Sequence, residues 1–406
     1  MRRAVLAVLG LVLLVVTGIG GGLAWWLRRD GPRPELLIQR ADGNLALVAP
    51  DGQTRTLTSD SDGRLKLYAH PVPSPDGRGV AYVETVHGTN AVTSSLVVHR
   101  LRGERRTVFE SVESRPFYLH WSPDGAQIAF LASDPDGMVL RSVNTVGRPV
   151  AQHVVLGDPS YFSWTPDGQR LLLHTGGSAP AGSLSVWSLG DTEPRKLAAE
   201  PALFQAPAWL DNGQVAVAAV PEGEGVALAR LATDGTTQQQ VASSDGGMIF
   251  LVAPDGGTIG YLTLSNGILG RLRLVGADGT GDREIAQGPV LTFLWSPDGK
   301  RIAYLTAADA DDARPVAWRA QIGLRLTWNV HDLASGETRA LGTFEPSDEF
   351  INVLPFFDQY AQSIRLWDTA GKRLVYADQE GVWTLDVDTG EARQAGEGVM
   401  GMWLER

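Results

Sequence analysis

A short turn motif, Pro-Asp-Gly, recurs along most of this sequence and constrains its fold more than any other feature. The intact copies that form the regular series are Pro75-Asp76-Gly77, Pro123-Asp124-Gly125, Pro166-Asp167-Gly168, Pro254-Asp255-Gly256 and Pro297-Asp298-Gly299. The degraded copies are Asp211-Asn212-Gly213 and Thr369-Ala370-Gly371. Successive glycines of the series are 48, 43, 45, 43, 43 and 72 residues apart. A turn that returns at a nearly constant interval indicates one architecture built from similar units.

The residues around each turn repeat as well. A tryptophan precedes the turn at Trp121, Trp164, Trp209, Trp295 and Trp367. A continuous apolar run follows it, as in Ile302-Ala303-Tyr304-Leu305, which is typical of a strand buried on both faces. Third and fourth strands follow, so each unit matches the four-stranded blade of a β-propeller, whose period is about 40–45 residues. The turn residues have structural roles, and the tryptophans are predicted to pack between blades.

The motif Trp-Ser-Pro-Asp-Gly, followed by Ile-Ala-Phe or Ile-Ala-Tyr, occurs at 121–130 and 295–304. It resembles the repeat of the TolB-like, WD-related β-propellers. The resemblance covers about residues 36–405 and implies an all-β fold. It implies little about biochemical role, because such propellers serve as scaffolds, ligand binders and accessory domains of enzymes.

The two ends of the repeat region complete each other. The stretch 36–57 contains three strand segments without a first strand, and Gly401-Met402-Trp403-Leu404 is a first strand with nothing after it. Pairing of these terminal strands would close the ring through one split blade. Seven internal turns and this blade predict eight blades; seven blades are the alternative if the Thr369 unit is not one.

The first 34 residues form a separate segment. Residues 4–27 are uncharged and are flanked by arginines on both sides. At about 1.5 Å per residue this run spans a bilayer core of about 30 Å, and it predicts one transmembrane helix. A cleaved signal peptide is the alternative. We therefore expect a membrane anchor and linker at 1–34 and a propeller at 35–406, on the extracytoplasmic side of the cell membrane.

Charge and cysteine content exclude several classes of function. The whole chain has a net charge of −11, and residues 35–406, with 30 basic and 45 acidic residues, have a net charge of −15. A nucleic-acid partner would require a basic surface, so none is expected. The chain contains no cysteine, which excludes disulfides, thiolate metal sites and catalytic thiols.

Two long loops interrupt the period in the 72-residue interval. Residues 307–320 separate the second and third strands of that blade, and residues 345–362 follow its last strand. Long loops on a rigid scaffold commonly carry binding sites. The candidate metal ligands are Asp309, Asp311 and Asp312, for which a solvated acidic loop is the alternative. The candidates for partner contact are Trp318, Arg319, Phe356, Phe357 and Tyr360; packing beneath the blade is the alternative for the last three.

No pattern in the sequence indicates catalysis. There is no Gly-x-Ser-x-Gly elbow, no His-Glu-x-x-His and no glycine-rich phosphate loop. We therefore expect a non-catalytic, protein-binding or scaffold module with no cofactor and an unidentified protein partner. The alternative is a protein that binds a small ligand or polysaccharide, or an enzyme, with its site at the mouth of the propeller channel.

Overall fold

The computed structural model describes residues 35–147, 149–157, 160–203, 205–210, 213–265, 268–308 and 324–405. These residues form eight antiparallel sheets, which are the blades of a propeller. The eight-bladed prediction is confirmed, and seven blades are excluded. The predicted membrane segment, residues 4–27, lies outside the described residues. Within the described part of the chain, no helix has the length and apolar character needed to cross a membrane.

Blades 1 to 4 occupy the first half of the ring. Blade 1 contains β1 (Leu36–Gln39), β2 (Leu45–Val48) and β3 (Thr54–Thr56), together with β31 (Met400–Trp403). Blade 2 contains β4 (Lys66–Pro73), β5 (Gly79–His87), β6 (Val92–Arg100) and β7 (Arg105–Ser111). Blade 3 contains β8 (Arg115–Trp121), β9 (Gln127–Asp134), β10 (Gly137–Asn144) and β11 (Ala151–Gly157). Blade 4 contains β12 (Ser160–Trp164), β13 (Arg170–Thr175), β14 (Ser183–Ser188) and β15 (Arg195–Lys196).

Blades 5 to 8 form the second half of the ring. Blade 5 contains β16 (Ala208–Leu210), β17 (Val215–Glu222), β18 (Gly225–Leu231) and β19 (Thr237–Ser244). Blade 6 contains β20 (Gly247–Val252), β21 (Thr258–Ser265), β22 (Ile268–Gly276) and β23 (Arg283–Ala286). Blade 7 contains β24 (Val290–Trp295), β25 (Arg301–Ala307), β26 (Leu326–Asp332) and β27 (Thr338–Phe344). Blade 8 contains β28 (Arg373–Ala377), β29 (Val382–Asp386) and β30 (Ala392–Gly396).

The ring closes where the sequence predicts. Strand β31 pairs antiparallel with β1, with Leu36 opposite Trp403 and Gln39 opposite Met400. The innermost strand of blade 8 is reduced to a single bridge between Trp367 and Leu374. First strands contact one another between blades 1 and 2, 2 and 3, 4 and 5, and 5 and 6, as expected of the strands that line the central channel of a propeller.

The Pro-Asp-Gly turns have the structural role predicted for them. At Asp167 the carboxylate accepts hydrogen bonds from the Thr165 hydroxyl (2.5 Å) and the Gln169 N–H (3.0 Å). These two bonds lower the pKa of Asp167. Gly168 follows with φ +69°, a conformation that glycine adopts without a steric penalty. The turns connect the first and second strands of their blades and therefore lie on one face of the propeller, the turn face.

The tryptophan series joins neighbouring blades through indole hydrogen bonds. Trp164 donates to the carbonyl of His120 (3.2 Å), and Trp403 donates to that of Leu366 (3.2 Å). Comparable bonds run from Trp121 to Val72, from Trp295 to Leu251 and from Trp367 to Leu294. Trp209 and Trp295 also pack against the hydrophobic clusters between their blades and the preceding ones, but both are only half-buried. Both line a cavity at the turn face.

Candidate functional site

The connection from blade 7 to blade 8 folds into the central channel. It contains helix α1 (Asp348–Val353), a 3₁₀ turn (Leu354–Phe356) and helix α2 (Phe357–Tyr360). Ser347 caps α1 by accepting a hydrogen bond from the Phe350 N–H (3.2 Å). The buried Phe350 ring packs near Trp328 and Phe344. This anchor directs the following residues inward, and we call residues 348–362 the channel plug.

Gln359 of the channel plug is fastened to the walls by hydrogen bonds. Its side-chain oxygen accepts from the Phe162 N–H (2.9 Å), and its side-chain nitrogen donates to the Phe162 carbonyl (3.1 Å). The same nitrogen donates to the Tyr118 hydroxyl, which donates to the Gln359 backbone carbonyl (2.7 Å). Gln362 adds a bond to the Phe162 carbonyl (3.3 Å). The channel plug is therefore held by the innermost strands of blades 3 and 4.

The backbone of Tyr118 departs from regular strand geometry. Its φ of +42° is uncommon for a residue with a large side chain, and it lies where the pairing of β8 with β9 shifts register. The ring makes edge contacts with Tyr360 (5.0 Å) and Phe162 (5.3 Å). Strained backbone of this kind persists when its surroundings compensate for it, and here the channel plug and blade 4 supply those contacts.

Asp358 is a carboxylate buried beneath the turn-face mouth of the channel. Only 4% of it is exposed, and it accepts a hydrogen bond from the Ala206 N–H (2.7 Å). Burial raises the pKa of Asp358 to about 6, although backbone N–H groups partly offset this effect. Burial therefore makes the ionised carboxylate of Asp358 less stable in the channel than it would be in water.

A cavity of about 970 Å³ opens at the turn face above the channel plug. We call it the mouth cavity. Trp164, Trp209, Trp295 and Trp367 contribute to its aromatic walls, and Asp358 and Gln362 contribute to its floor. Its volume lies near the upper end of the range of about 300–1,000 Å³ that is usual for ligand pockets.

Arg365 lies in the wall of the mouth cavity. Its guanidinium donates to the carbonyls of Pro73 (3.3 Å) and Ser74 (2.9 Å) and to that of Leu404. These contacts connect the start of blade 8 to blades 1 and 2. The acceptors are backbone carbonyls, so these bonds give Arg365 a role in holding the rim together.

The structure places some of the residues singled out in the sequence. Asp309, Asp311, Asp312, Trp318 and Arg319 lie outside the described residues. Phe356 is 47% exposed, whereas the buried Phe357 ring packs against Phe293 at 5.3 Å and Tyr360 packs against Tyr118. Packing therefore accounts for Phe357 and Tyr360, and a partner contact through Phe356 stays a prediction. No group of three or more metal-ligating side chains occurs within the described ranges.

The sequence did not single out Asp358 and Gln359, which hold the channel plug. A signal was present, because these two polar residues stand between aromatic residues, in Phe356-Phe357 and Tyr360. Polar residues enclosed by aromatic ones indicate a buried site that needs specific hydrogen bonds. Their partners could not be identified, since Ala206, Phe162 and Tyr118 lie 152 to 241 residues away in sequence.

Replacing Asp358 with asparagine is expected to stabilise the fold at neutral pH. The folded-state pKa of about 6 lies above the usual aspartate pKa of 3.8, so ionisation of Asp358 destabilises the folded state progressively as the pH rises from about 4 through 6. An amide keeps the acceptor for Ala206 without the charge. We expect Asp358→Asn to raise the free energy of unfolding by about 2–3 kcal/mol at pH 8 and by almost nothing below about pH 4.

Urea unfolding of the full chain in detergent at pH 8, 6 and 4 measures this difference. Asp136→Asn, in the exposed β9–β10 connection, is the matched control and should leave the free energy of unfolding unchanged at each pH. Equal stability of the Asp358→Asn protein and the wild type at pH 8 would show that the buried carboxylate carries no penalty.

Comparisons with known proteins agree with the architecture. No protein-family model and no curated protein matches the chain. A solved structure described as the eukaryotic initiation factor aligns over 92% of this chain and 99% of its own, with TM-score 0.53 and 12% identity. An oligogalacturonate lyase in complex with manganese aligns over 77% and 84%, with TM-score 0.50 and 12% identity. The putative TolB from Agrobacterium tumefaciens, at 18% identity, aligns over 60% and 85% with TM-score 0.40. Likeness at such identities shows the fold alone, and that fold is a β-propeller.

Proposed function

We propose that this chain is a membrane-anchored, non-catalytic binding protein whose partner occupies the mouth cavity. The observation that carries the proposal is the cavity itself, about 970 Å³ in volume, walled by four tryptophans and floored by the channel plug. A propeller whose channel is filled from one side and open at the other presents one concave surface. Concave, largely apolar surfaces with a few polar groups are the usual form of binding sites.

The polar groups of the channel support binding rather than catalysis. Asp358 accepts from Ala206, Gln359 is bonded to Phe162, and Arg365 donates to backbone carbonyls. His174, next to the channel, has both ring nitrogens within 2.9 Å of the carbonyls of Gln205 and Gly177. Side chains whose polar atoms are hydrogen-bonded to the backbone in this way hold the cavity walls and the channel plug in position.

Membrane attachment through residues 4–27 is part of the proposal. The run is uncharged and long enough to cross a bilayer, and the net charge of −15 over residues 35–406 disfavours contact of the propeller with anionic lipid head groups. The propeller would be presented on the extracytoplasmic side, with the mouth cavity available to a soluble or membrane-bound protein.

One observation favours a second candidate function. A buried carboxylate with a raised pKa in a cleft, such as Asp358, is a feature of many active sites. The mouth cavity would then hold a small ligand or polysaccharide that the protein binds or converts. One structural neighbour with this fold is an oligogalacturonate lyase, so the propeller architecture is compatible with that role.

Site-specific photocrosslinking in native membranes tests where a partner binds. We would replace Thr369, an exposed residue at the edge of the mouth cavity, with a photoreactive phenylalanine analogue. The matched control is the same replacement at Val112, which is 62% exposed in the β7–β8 connection on the opposite face. Discrete crosslinked products are expected from Thr369 and not from Val112. Identical products at both positions, or none from Thr369, would contradict a partner at the mouth.

A further inference from the structure

Asp358 is an anion without a neutralising partner. In the part of the chain that the structure describes, no ion pair involves its carboxylate, and the hydrogen bond that it accepts there comes from the Ala206 N–H. Its pKa is governed by burial and by backbone N–H groups, with no contribution from a positive charge. An ionised carboxylate that is removed from water without a counter-ion is costly, so a cation that reached it would be bound favourably.

The walls above Asp358 suit an organic cation. Trp209 and Trp295 are half-buried, and their indoles line the mouth cavity. Indole rings attract cations that lie within about 6 Å of the ring, and tryptophan is the strongest of the aromatic residues in this respect. Trp209 already makes one such contact on the protein side, because the Arg170 guanidinium lies 5.3 Å from its ring centre.

Polar side chains near the same floor lack partners. Ser163 lines the mouth cavity, is 5% exposed, and has a hydroxyl with no hydrogen-bond partner among the described residues. The amide of Gln205, which precedes Ala206, is 3% exposed and is unpartnered in the same sense. Buried polar groups in native proteins are usually satisfied, so the Ser163 hydroxyl, which lines the mouth cavity, is available to a group that enters it.

The charge of the lining also favours a cation. Asp255, Asp298, Asp358 and Glu405 contribute four carboxylates, of which that of Asp298 is paired with Lys300 at 3.5 Å. The guanidinium in the lining, that of Arg365, is engaged by backbone carbonyls. A divalent metal ion fits less well, since it prefers several oxygen ligands converging on one point. The described residues contain no group of three or more such ligands.

We propose that the mouth cavity binds an ammonium group carried on an aliphatic chain, with the Asp358 carboxylate as its counter-ion and the indoles of Trp209 and Trp295 as its walls. This inference rests on the proposed function, because it names the ligand chemistry of the same cavity. The same chemistry is offered by a free polyamine and by a lysine side chain of a protein partner.

The other titratable groups near Asp358 are two tyrosines, an arginine and a histidine. The charge of Asp358 helps to raise the pKa values of Tyr118 and Tyr161. Arg365 and His120 line the same cavity.

Calorimetric titration of the full chain in detergent, at pH 7.5 and about 150 mM salt, tests the proposal. The probes are spermidine and a short peptide with one lysine, and their controls are the same peptide with acetyl-lysine and neutral maltotriose. Spermidine or the lysine peptide is expected to bind, and the neutral probes are not. Tighter binding of spermidine indicates a free amine as the ligand, whereas tighter binding of the peptide indicates a lysine of a partner.

Two variants distinguish amine binding at Asp358 from nonspecific attraction of a cation to an acidic protein. Asp358→Asn should weaken amine binding by about tenfold or more while keeping the fold, and Asp136→Asn on the opposite face should not change it. Lowering the pH from 7.5 to 5 should weaken binding to the wild type by about tenfold, because the proton competes for Asp358, and should hardly affect the Asp358→Asn protein. Equal effects of the two substitutions would overturn the proposal.

The outcome for this inference is distinguishable from that for the proposed function. If neither amine binds, or if maltotriose binds with no dependence on Asp358, the assignment of a cationic ligand is wrong. Crosslinking from Thr369 but not from Val112 would still support a partner at the mouth. If no amine binds and Thr369 gives no crosslinked product, the mouth cavity is not the functional site.

Discussion

Deleting residues 398–406 is expected to abolish cooperative unfolding of the propeller. This deletion removes β31, the innermost strand of blade 1, which pairs with β1 from Leu36 to Gln39. It also removes the buried Trp403, whose indole donates to the Leu366 carbonyl and lies 4.4 Å from the Arg373 guanidinium. The truncated chain has an open ring and an unpaired edge on β1, and we expect a broad transition at a much lower temperature.

Thermal unfolding followed by circular dichroism and tryptophan fluorescence measures this effect. The matched control is deletion of residues 405–406, which shortens the chain but leaves β31 in place. That control is expected to unfold in one transition close to the wild-type midpoint. A sharp, wild-type transition for the longer deletion would contradict closure of the ring through the split blade.

Replacing Gln359 with alanine is expected to destabilise the protein by about 3–5 kcal/mol. The substitution leaves the Phe162 N–H without its partner, leaves the Phe162 carbonyl with the 3.3 Å bond from Gln362 alone, and removes the side-chain bond to Tyr118. Each unsatisfied buried polar group costs about 1–3 kcal/mol, and the space vacated by the side chain adds to this cost.

Urea unfolding of the two proteins gives the difference in free energy. Gln362→Ala is the matched control, because Gln362 is half-buried and makes a single bond of 3.3 Å to the same carbonyl. We expect it to cost about 1 kcal/mol or less. Comparable losses for the two variants would mean that the channel plug is not anchored through Gln359.

The blades could be predicted because their signals are local. The Asp167 carboxylate bonds to Thr165 and Gln169, all within one turn, and Gly168 needs only its own freedom of φ. Such a turn forms in the same way wherever its sequence occurs. Its recurrence therefore indicates both the number of blades and the missing strand that β31 provides.

The burial of the repeated tryptophans could not be predicted from the local sequence. Trp164 and Trp295 occupy equivalent positions in the repeat, and both donate to the neighbouring blade. Trp164 is nevertheless buried, whereas Trp295 is half-buried. The difference depends on how blades 4 and 7 border the mouth cavity, which is a property of the assembled ring.

Residues 345–362 are predicted from the sequence to form a long exit loop whose aromatic residues contact a partner or pack beneath the blade. Its length and aromatic content identified it as a departure from the repeat. The direction in which it folds depends on Phe350 packing near Trp328 and Phe344 and on Phe357 reaching Phe293. These contacts exist only after blade 7 has formed, so the sequence pattern alone did not predict a channel plug.

The sequence by itself determined the blade and its period and favoured eight blades over seven, because the turns and most strand pairs join near neighbours in the chain. It also identified β31 as the closing strand, although its partner β1 lies at the other end of the chain, because each end of the repeat region contains the part of one blade that the other end lacks. Only the tertiary structure decided where the candidate site lies. Asp358 meets Ala206 across 152 residues of sequence, and Gln359 meets Tyr118 across 241. Contacts of that range leave no periodic signal; closure of the propeller brings these residues together around one channel.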